Sequence, residues 1–456
     1  MYQEIKKADW FTIAGGSYGR IGVGWTPSIS SVSGRRLNLN RMGSIGGRME
    51  EQDYLEIGLA FKVRPAKLTR DSTEINIQFR AAVYTRGAAY FGNSSTSSVD
   101  GLTFVLPELY VEGKNVLTKG LNIWVGNRLY RGNDVHIADY FYFNDHSGQG
   151  FGIEYKNNRA SVNFVSSTDT TATVPPYFYL NYLSGTPSLE IRNRIVYSYE
   201  HDLHFGKYSL VTFLGEFHRI GDPSDNPGTA NDLFSFPGDY GWVVGAKYQH
   251  ENLTYGILKP GSFNQLAVRY GSGIANGGDG GSSRTWETFG AVDTVDFKFR
   301  DAYSWHIVNH FLLNFSTKFS LNGYVVYNYS RGAAESSGEA TTYLGRTVYN
   351  QKKDFTFGLQ GLNYITDVFH WRTELHYSQR RQGLDPWYRV FKLSFVPTLA
   401  LRGERSVWSR PHIRFVYSIA RFNDAAQNDQ FSPYLQLTGP KEWGHYFGIR
   451  AEWWTW

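Results

Sequence analysis

Ionisable side chains and aromatic rings crowd the stretch from Trp124 to Gly150. Arg128, Arg131, Asp134, His136, Asp139 and Asp145 are interspersed with Tyr130, Tyr140, Phe141, Tyr142 and Phe143. Ions at that density do not suit a dry core, because each would have to be paired or lose its hydration at high cost. A wet constriction lined by rings and charges is one reading, and a surface loop beside a buried strand is the other. Asp134 with Asp139, or Glu50 with Glu51, has the form of a catalytic carboxylate pair, yet acidic residues this common form such pairs by chance. There is no G-x-S-x-G element with its accompanying context, no H-E-x-x-H and no phosphate-binding glycine loop. The absence of cysteine removes disulfide frameworks, thiol catalysis and the common zinc motifs in one step. The expectation is a protein that is not an enzyme, with no metal and no cofactor.

What could hold such a stretch in place is indicated by composition. Of 456 residues, 17% are aromatic (32 Tyr, 31 Phe, 13 Trp) and 48 are Gly, against 3 Met and 15 Pro, which favours many strands joined by turns. Mean hydropathy is −0.40, and no run approaches the roughly 18 apolar residues of a membrane helix. A membrane barrel also averages as polar, because lipid-facing and lumen-facing residues alternate. Met1 to Asp9 is polar, without the apolar core of a signal peptide, so an exported protein is expected to be present here in mature form. The net charge of +5 is spread along the chain rather than gathered into the dense basic stripe of a nucleic-acid binder.

Alternation assigns residues to faces. In 371–380, Trp371, Thr373, Leu375 and Tyr377 oppose Arg372, Glu374, His376, Ser378 and Arg380; in 412–420, Ile413, Phe415, Tyr417 and Ile419 oppose a polar even face. The same pattern marks 54–61 and 321–329. Further strands are expected at 190–200, 206–218, 240–250, 264–270, 297–314, 355–363, 388–396 and 445–454. Several reach the about 9 to 11 residues that cross a bilayer at a tilt. Between them, 92–100, 222–232, 271–284 and 332–342 are rich in Gly, Ser, Asn and Asp, as mobile external loops are.

The order W-x-G-x-R-x-Y, D-V-H, D-x-x-Y and S-G-x-G across 124–150 resembles the inward-folded loop of the maltoporins, trimeric sugar-selective porins of the Gram-negative outer membrane. Ser406-Val407-Trp408-Ser409-Arg410-Pro411 is similar to the family's S-I-W-S-R-P, and Gly16 to Thr26 is similar to its first strand. The resemblance implies an all-β fold: one closed antiparallel transmembrane β-barrel of 18 strands spanning 1–456, with an N-terminal extension at 1–10 and a constriction loop at about 128–150. It implies facilitated passive diffusion of maltose- or maltodextrin-type oligosaccharides along an aromatic slide. Homotrimers in contact with the lipid bilayer and lipopolysaccharide are implied as well, with no nucleic-acid partner.

Carried over residue by residue, the resemblance makes Tyr18, Tyr54, Phe91, Phe141, Leu266, Trp408 and Trp454 the apolar sugar path. Arg20, Arg48, Glu56, Arg131, Asp134, His136 and Asp139 become the polar track and constriction, with Arg41 the alternative to Arg48. Parity agrees for Tyr18 with Arg20, for Tyr54 with Glu56, and for Trp454 with Arg450 and Glu452, each set sharing one face. The sequence also departs from the family. Its constriction tyrosine falls on Phe141, its constriction arginine on Gly132 beside Arg131, and a further track arginine on Pro107. The external tryptophan that reaches a neighbouring pore falls near Tyr90 and Phe91. These departures keep open a general porin, or one selective for sucrose or other glycosides.

Overall fold

The computed structural model describes residues 3–8, 10–27, 36–65, 72–85, 102–132, 134–165, 178–181, 188–191, 194–221, 237–277, 287–341 and 347–455. In chain order the strands are β1 (Gln3–Ala8), β2 (Phe11–Trp25), β3 (Tyr54–Val63), β4 (Glu74–Thr85), β5 (Leu102–Lys114), β6 (Leu121–Arg128), β7 (Asp134–Val135), β8 (Tyr140–Phe141), β9 (Gly148–Tyr155) and β10 (Asn158–Val165). They continue as β11 (Phe178–Asn181), β12 (Ser188–Ile191), β13 (Arg194–Phe205), β14 (Ser209–Ile220), β15 (Asp239–His250), β16 (Phe263–Gly273), β17 (Tyr303–Ser316) and β18 (Phe319–Arg331). The last are β19 (Glu339–Thr341), β20 (Thr347–Tyr349), β21 (Gln351–Tyr364), β22 (Phe369–Gln382), β23 (Tyr388–Ala400), β24 (His412–Phe422) and β25 (Trp443–Trp454). Two short helices, α1 (Asp424–Asn428) and α2 (Pro433–Thr438), precede β25.

Eighteen of these strands form one antiparallel ring, β2 to β6, β9, β10, β13 to β18 and β21 to β25, each bonded to the next. The ring closes because β25 pairs with β2 from Tyr18↔Trp454 to Trp25↔Phe447. Closure is what a bilayer requires, since an unpaired backbone amide in hydrocarbon costs several kcal/mol. β2 runs on past the end of β25, and there β1 folds back to pair Gln3–Ala8 with Phe11–Gly15.

Polarity is inverted relative to a water-soluble sheet. Along β22, Arg372, Glu374, His376 and Arg380 are buried inside the ring, while Trp371 on the other face is 38% exposed. Around the outside, Val23, Val125, Phe151, Phe213, Trp242, Trp305 and Phe415 are exposed. An apolar exterior around an ionic interior is a sheet solvated by lipid outside and water within. Among the described residues no helix is long and apolar enough to cross a membrane, so the strands make the crossing.

Connections differ at the two ends. At one end β9 and β10 are joined by two residues, with Lys156 at φ +54°, and β13 and β14 by three, with Gly206 at φ +65°, the left-handed geometry that tight hairpins require. At the other end most connections are longer, and two fold inward. Leu37, Leu39, Met42, Ile45 and Met49 of the first meet Val135, Ile137, Tyr140, Tyr142 and Phe143 of the second in one apolar cluster. That cluster also holds Tyr324, Val390, Val416 and Phe422 of the wall and Leu435 of α2. Strand boundaries shift by a few residues from those read in the sequence, and residues 297–302 lie outside β17, where Phe299 and Ala302 pack in a small cluster with Ile220 and Ile274.

Candidate functional site in the barrel lumen

The inward loop after β6 is built on a short ladder, Asp134↔Phe141 and Val135↔Tyr140. A single 3-10 turn, His136–Ala138, reverses the chain, and Asp139 completes it at φ +43°, a region aspartate tolerates better than most residues. Val135, Ile137, Ala138 and Tyr140 bury one side of the hairpin. Polar anchors fix it to the wall. His146 Nε2 lies 2.9 Å from Glu216 Oε1, Asn144 donates to Glu200 at 2.5 Å, Tyr142 to Gln265 at 2.5 Å, and Arg269 to the Phe143 carbonyl at 3.2 Å. What stays open is the side carrying Asp134, His136, Asp139 and Phe141.

Those four residues line a cavity of about 430 Å³ together with Tyr18, Arg20, Arg48, Tyr54, Glu56, Arg80, Arg131 and Trp454. Its rings stand close: Tyr18 to Tyr54 is 5.7 Å between centroids, and Trp454 lies 5.4 Å from the His136 ring. A second cavity of about 400 Å³ is lined by Trp408, Phe263, Tyr208, Glu251, Asn252, Gly261, Gln265, His310 and, again, Asp134. It lies toward the end with the short turns, and Asp134 borders both chambers. Trp408 is 39% exposed and stands 5.8 Å from His136.

The charges form linked pairs. Arg20 Nη1 contacts Glu51 Oε2 at 2.8 Å and Asp139 Oδ2 at 3.3 Å. Arg80 bonds Glu56 and, at 2.6 Å, Glu108. Arg48 bonds Glu452, whose other oxygen receives Arg410 Nε at 3.1 Å, and Tyr18 donates to Glu452 at 3.1 Å. Burial pushes the Asp139 carboxyl upward, but Arg20 and Arg48 outweigh it and hold the group at about 2. His136 is lowered by burial and then by Arg48. Its geometry agrees: Nε2 lies 3.1 Å from guanidinium nitrogens of both Arg48 and Arg410, which have only N–H to offer, so Nε2 accepts. The ring is the neutral tautomer, with Nδ1–H directed at Asp134 Oδ2, 3.4 Å away.

Eleven of the fourteen residues picked from the sequence thus meet in the first cavity, and Trp408 lies in the second. Leu266 does not join them. It is 41% exposed on the outer face of β16, while its neighbours Gln265 and Ala267 are buried toward the lumen. Alternation puts Phe263 on the lumenal face instead, edge-on to His310 at 5.0 Å. Phe91 and Tyr90 lie outside the described residues. Arg48 lines the cavity and Arg41 does not.

The departures have local causes. A Cβ on Gly132 would collide with the Asn144 side chain and come within 3.0 Å of the Tyr142 carbonyl, so no larger residue fits while Asn144 anchors the loop. Pro107 sits where the β4–β5 register shifts between Arg80 and Ala82, a bulge that tolerates a missing N–H. Residues not found in the sequence include Arg80, Arg410, Phe263 and His310. The parity of Gln265 and Arg269 in β16 was the signal that could have found Phe263.

A family model described as LamB porin matches residues 13–454. The chain belongs to the LamB porin family. LamB porins are the maltoporins, so this chain is a sugar-selective channel of the Gram-negative outer membrane. Among solved structures, OmpF of Salmonella typhi in complex with daunomycin aligns with 99% of this chain and 100% of its own, at 10% identity and a TM-score of 0.42. OmpT of Vibrio cholerae, expressed in the outer membrane, aligns with 99% and 100% at 8% identity and a TM-score of 0.36.

Proposed function

We propose that this LamB porin conducts maltose- and maltodextrin-type oligosaccharides by facilitated passive diffusion, along a slide of rings flanked by ionisable groups, and that it works as a homotrimer in lipopolysaccharide-bearing membrane. The observation that carries the reading is the shared lining of one cavity by Tyr18, Tyr54, Phe141 and Trp454 beside Arg20, Arg48, Glu56 and Asp139. Trp408 and Phe263 continue the rings into the next chamber.

A pyranose has apolar C–H faces and a rim of hydroxyls, so a selective route needs flat rings and polar partners together. Stacking one face buries on the order of 40 Å², about 1 kcal/mol at roughly 25 cal/mol per Å². Each hydrogen bond exchanged with water nets about 0.5 to 1.5 kcal/mol. The total is of the order of −4 kcal/mol, or millimolar binding. Such weakness suits transport, since successive modest sites admit a sugar without trapping it.

The test is current through the reconstituted channel with maltodextrins added: saturable block supports the slide, and its absence rejects it. A second reading, a general porin or one selective for sucrose or other glycosides, is favoured by Phe141, which lacks a hydroxyl, by Gly132, and by the outward position of Leu266. Block by sucrose equal to that by maltose, or by neither, would favour it.

A further inference from the structure

We propose that the constriction recognises a saccharide bearing an anionic group, a carboxylate or a phosphate, and that the Arg131 guanidinium receives it. The inference rests on the sugar-path reading above and adds a charged class of saccharide to the neutral glucans proposed there.

Four guanidiniums face the first cavity, and three already have acids. Arg20 holds Glu51 and Asp139, Arg48 holds Glu452, and Arg80 holds Glu56 and Glu108. The remaining lining carboxylate, Asp134, is turned to His136. Among the described residues, no carboxylate lies within ion-pair distance of Arg131, although Arg131 is exposed and borders the cavity.

Its position is fixed rather than loose. The Arg131 backbone bridges to Asp145, and its Cζ lies 3.7 Å from the centroid of the Phe141 ring. A guanidinium stacked on a ring keeps its N–H edge free, and that edge matches the two oxygens of a carboxylate or phosphate. Phe141 offers no hydroxyl to occupy the edge. The group poised where the passage narrows is therefore an uncompensated planar cation beside rings, which suits a sugar whose pyranose stacks while its charged substituent is clasped.

The experiment compares block of the reconstituted full-length channel by four probes at one ionic strength and both voltage polarities. They are a neutral glucose disaccharide, a disaccharide of equal size carrying a uronic acid, and inorganic phosphate alone; glucose phosphate serves as the phosphate-bearing counterpart. The acidic sugars should half-block at about tenfold lower concentration than the neutral one, the gain of a charge-assisted over a neutral contact. Arg131→Gln should abolish that difference and Arg131→Lys retain part of it. Equal block by neutral and acidic sugars in the native channel overturns the inference while leaving the sugar path intact. A preference that survives Arg131→Gln also overturns it, as does phosphate alone blocking as well as the acidic sugars. Absence of block by every sugar would overturn the sugar path itself, and this inference with it.

Discussion

Tyr18 on the first barrel strand and Trp454 on the last are register partners across the seam where the ring closes, and both line the first lumenal cavity. Arg20↔Glu452 is the next lumen-facing pair along that seam. The two ends of the chain, 436 positions apart by these numbers, thus supply adjoining parts of one site. Glu452 gathers Tyr18, Arg48 and Arg410, so the seam and the constriction share one carboxylate.

Removing that charge is expected to be costly. Glu452→Gln leaves Arg48, Arg410 and Arg414 around a neutral amide, and breaking a buried pair costs about 3 kcal/mol. Urea titration of the folded barrel, followed by its heat-modifiable gel mobility, should show a lower midpoint. An unchanged midpoint would mean that water already screens the cluster.

Trp408→Ala should weaken maltodextrin block severalfold, in line with the loss of about 1 kcal/mol of stacking, with ion conductance similar or higher. Phe263→Ala, in the same chamber, should act in the same direction. Block as strong as in the native channel would take either ring out of the route.

Leu266 gives the contrasting result. Leu266→Ala should leave sugar block unchanged, because the side chain faces away from the lumen. Leu266→Arg should destabilise the folded barrel by up to about 2 to 4 kcal/mol, the cost of a cation on the lipid face near mid-bilayer. A change in block without a change in stability would contradict this placement.

Acidification should loosen the constriction through His136. The fold lowers this group, so its contribution to stability is complete above the unfolded value near 6.5 and is lost as pH falls through the lowered folded value. A protonated ring could no longer accept from Arg48 and Arg410. Single-channel current should become noisier as the pH is lowered from neutral through the mildly acidic range, and His136→Asn should flatten that dependence. Asp139, held at about 2, stays ionised over this range and is not the source.

The barrel was legible in the sequence because its pattern is local. Arg372, Glu374 and His376 against Trp371 and Leu375 fix two faces whatever the rest of the chain does. Tyr18, Tyr54 and Trp454 could be placed from the same alternation. Leu266 could not be told from a lumenal ring by hydrophobicity, since lipid and a sugar path both select apolar side chains; only the polar parity of Gln265 separates them. Arg80 escaped because the strict alternation from Glu74 to Arg80 gives its face but not its partners, Glu56 and Glu108, on the neighbouring strands. The inward course of the first loop depends on distant partners such as Lys392 Nζ, 2.8 Å from Glu50 Oε2, and no local pattern announces a contact across 342 positions.

Beyond Trp454 the start of β2 has no neighbour in β25, and β1 lies along it instead. A bare run of amides at the rim would invite strand exchange between adjacent porins in a crowded membrane. With the hairpin in place, the outermost edge there presents Lys6 and Lys7, and lysines on an edge discourage further pairing. Laid over that run of amides, β1 leaves a lysine-bearing outer edge, which disfavours pairing with a neighbouring sheet.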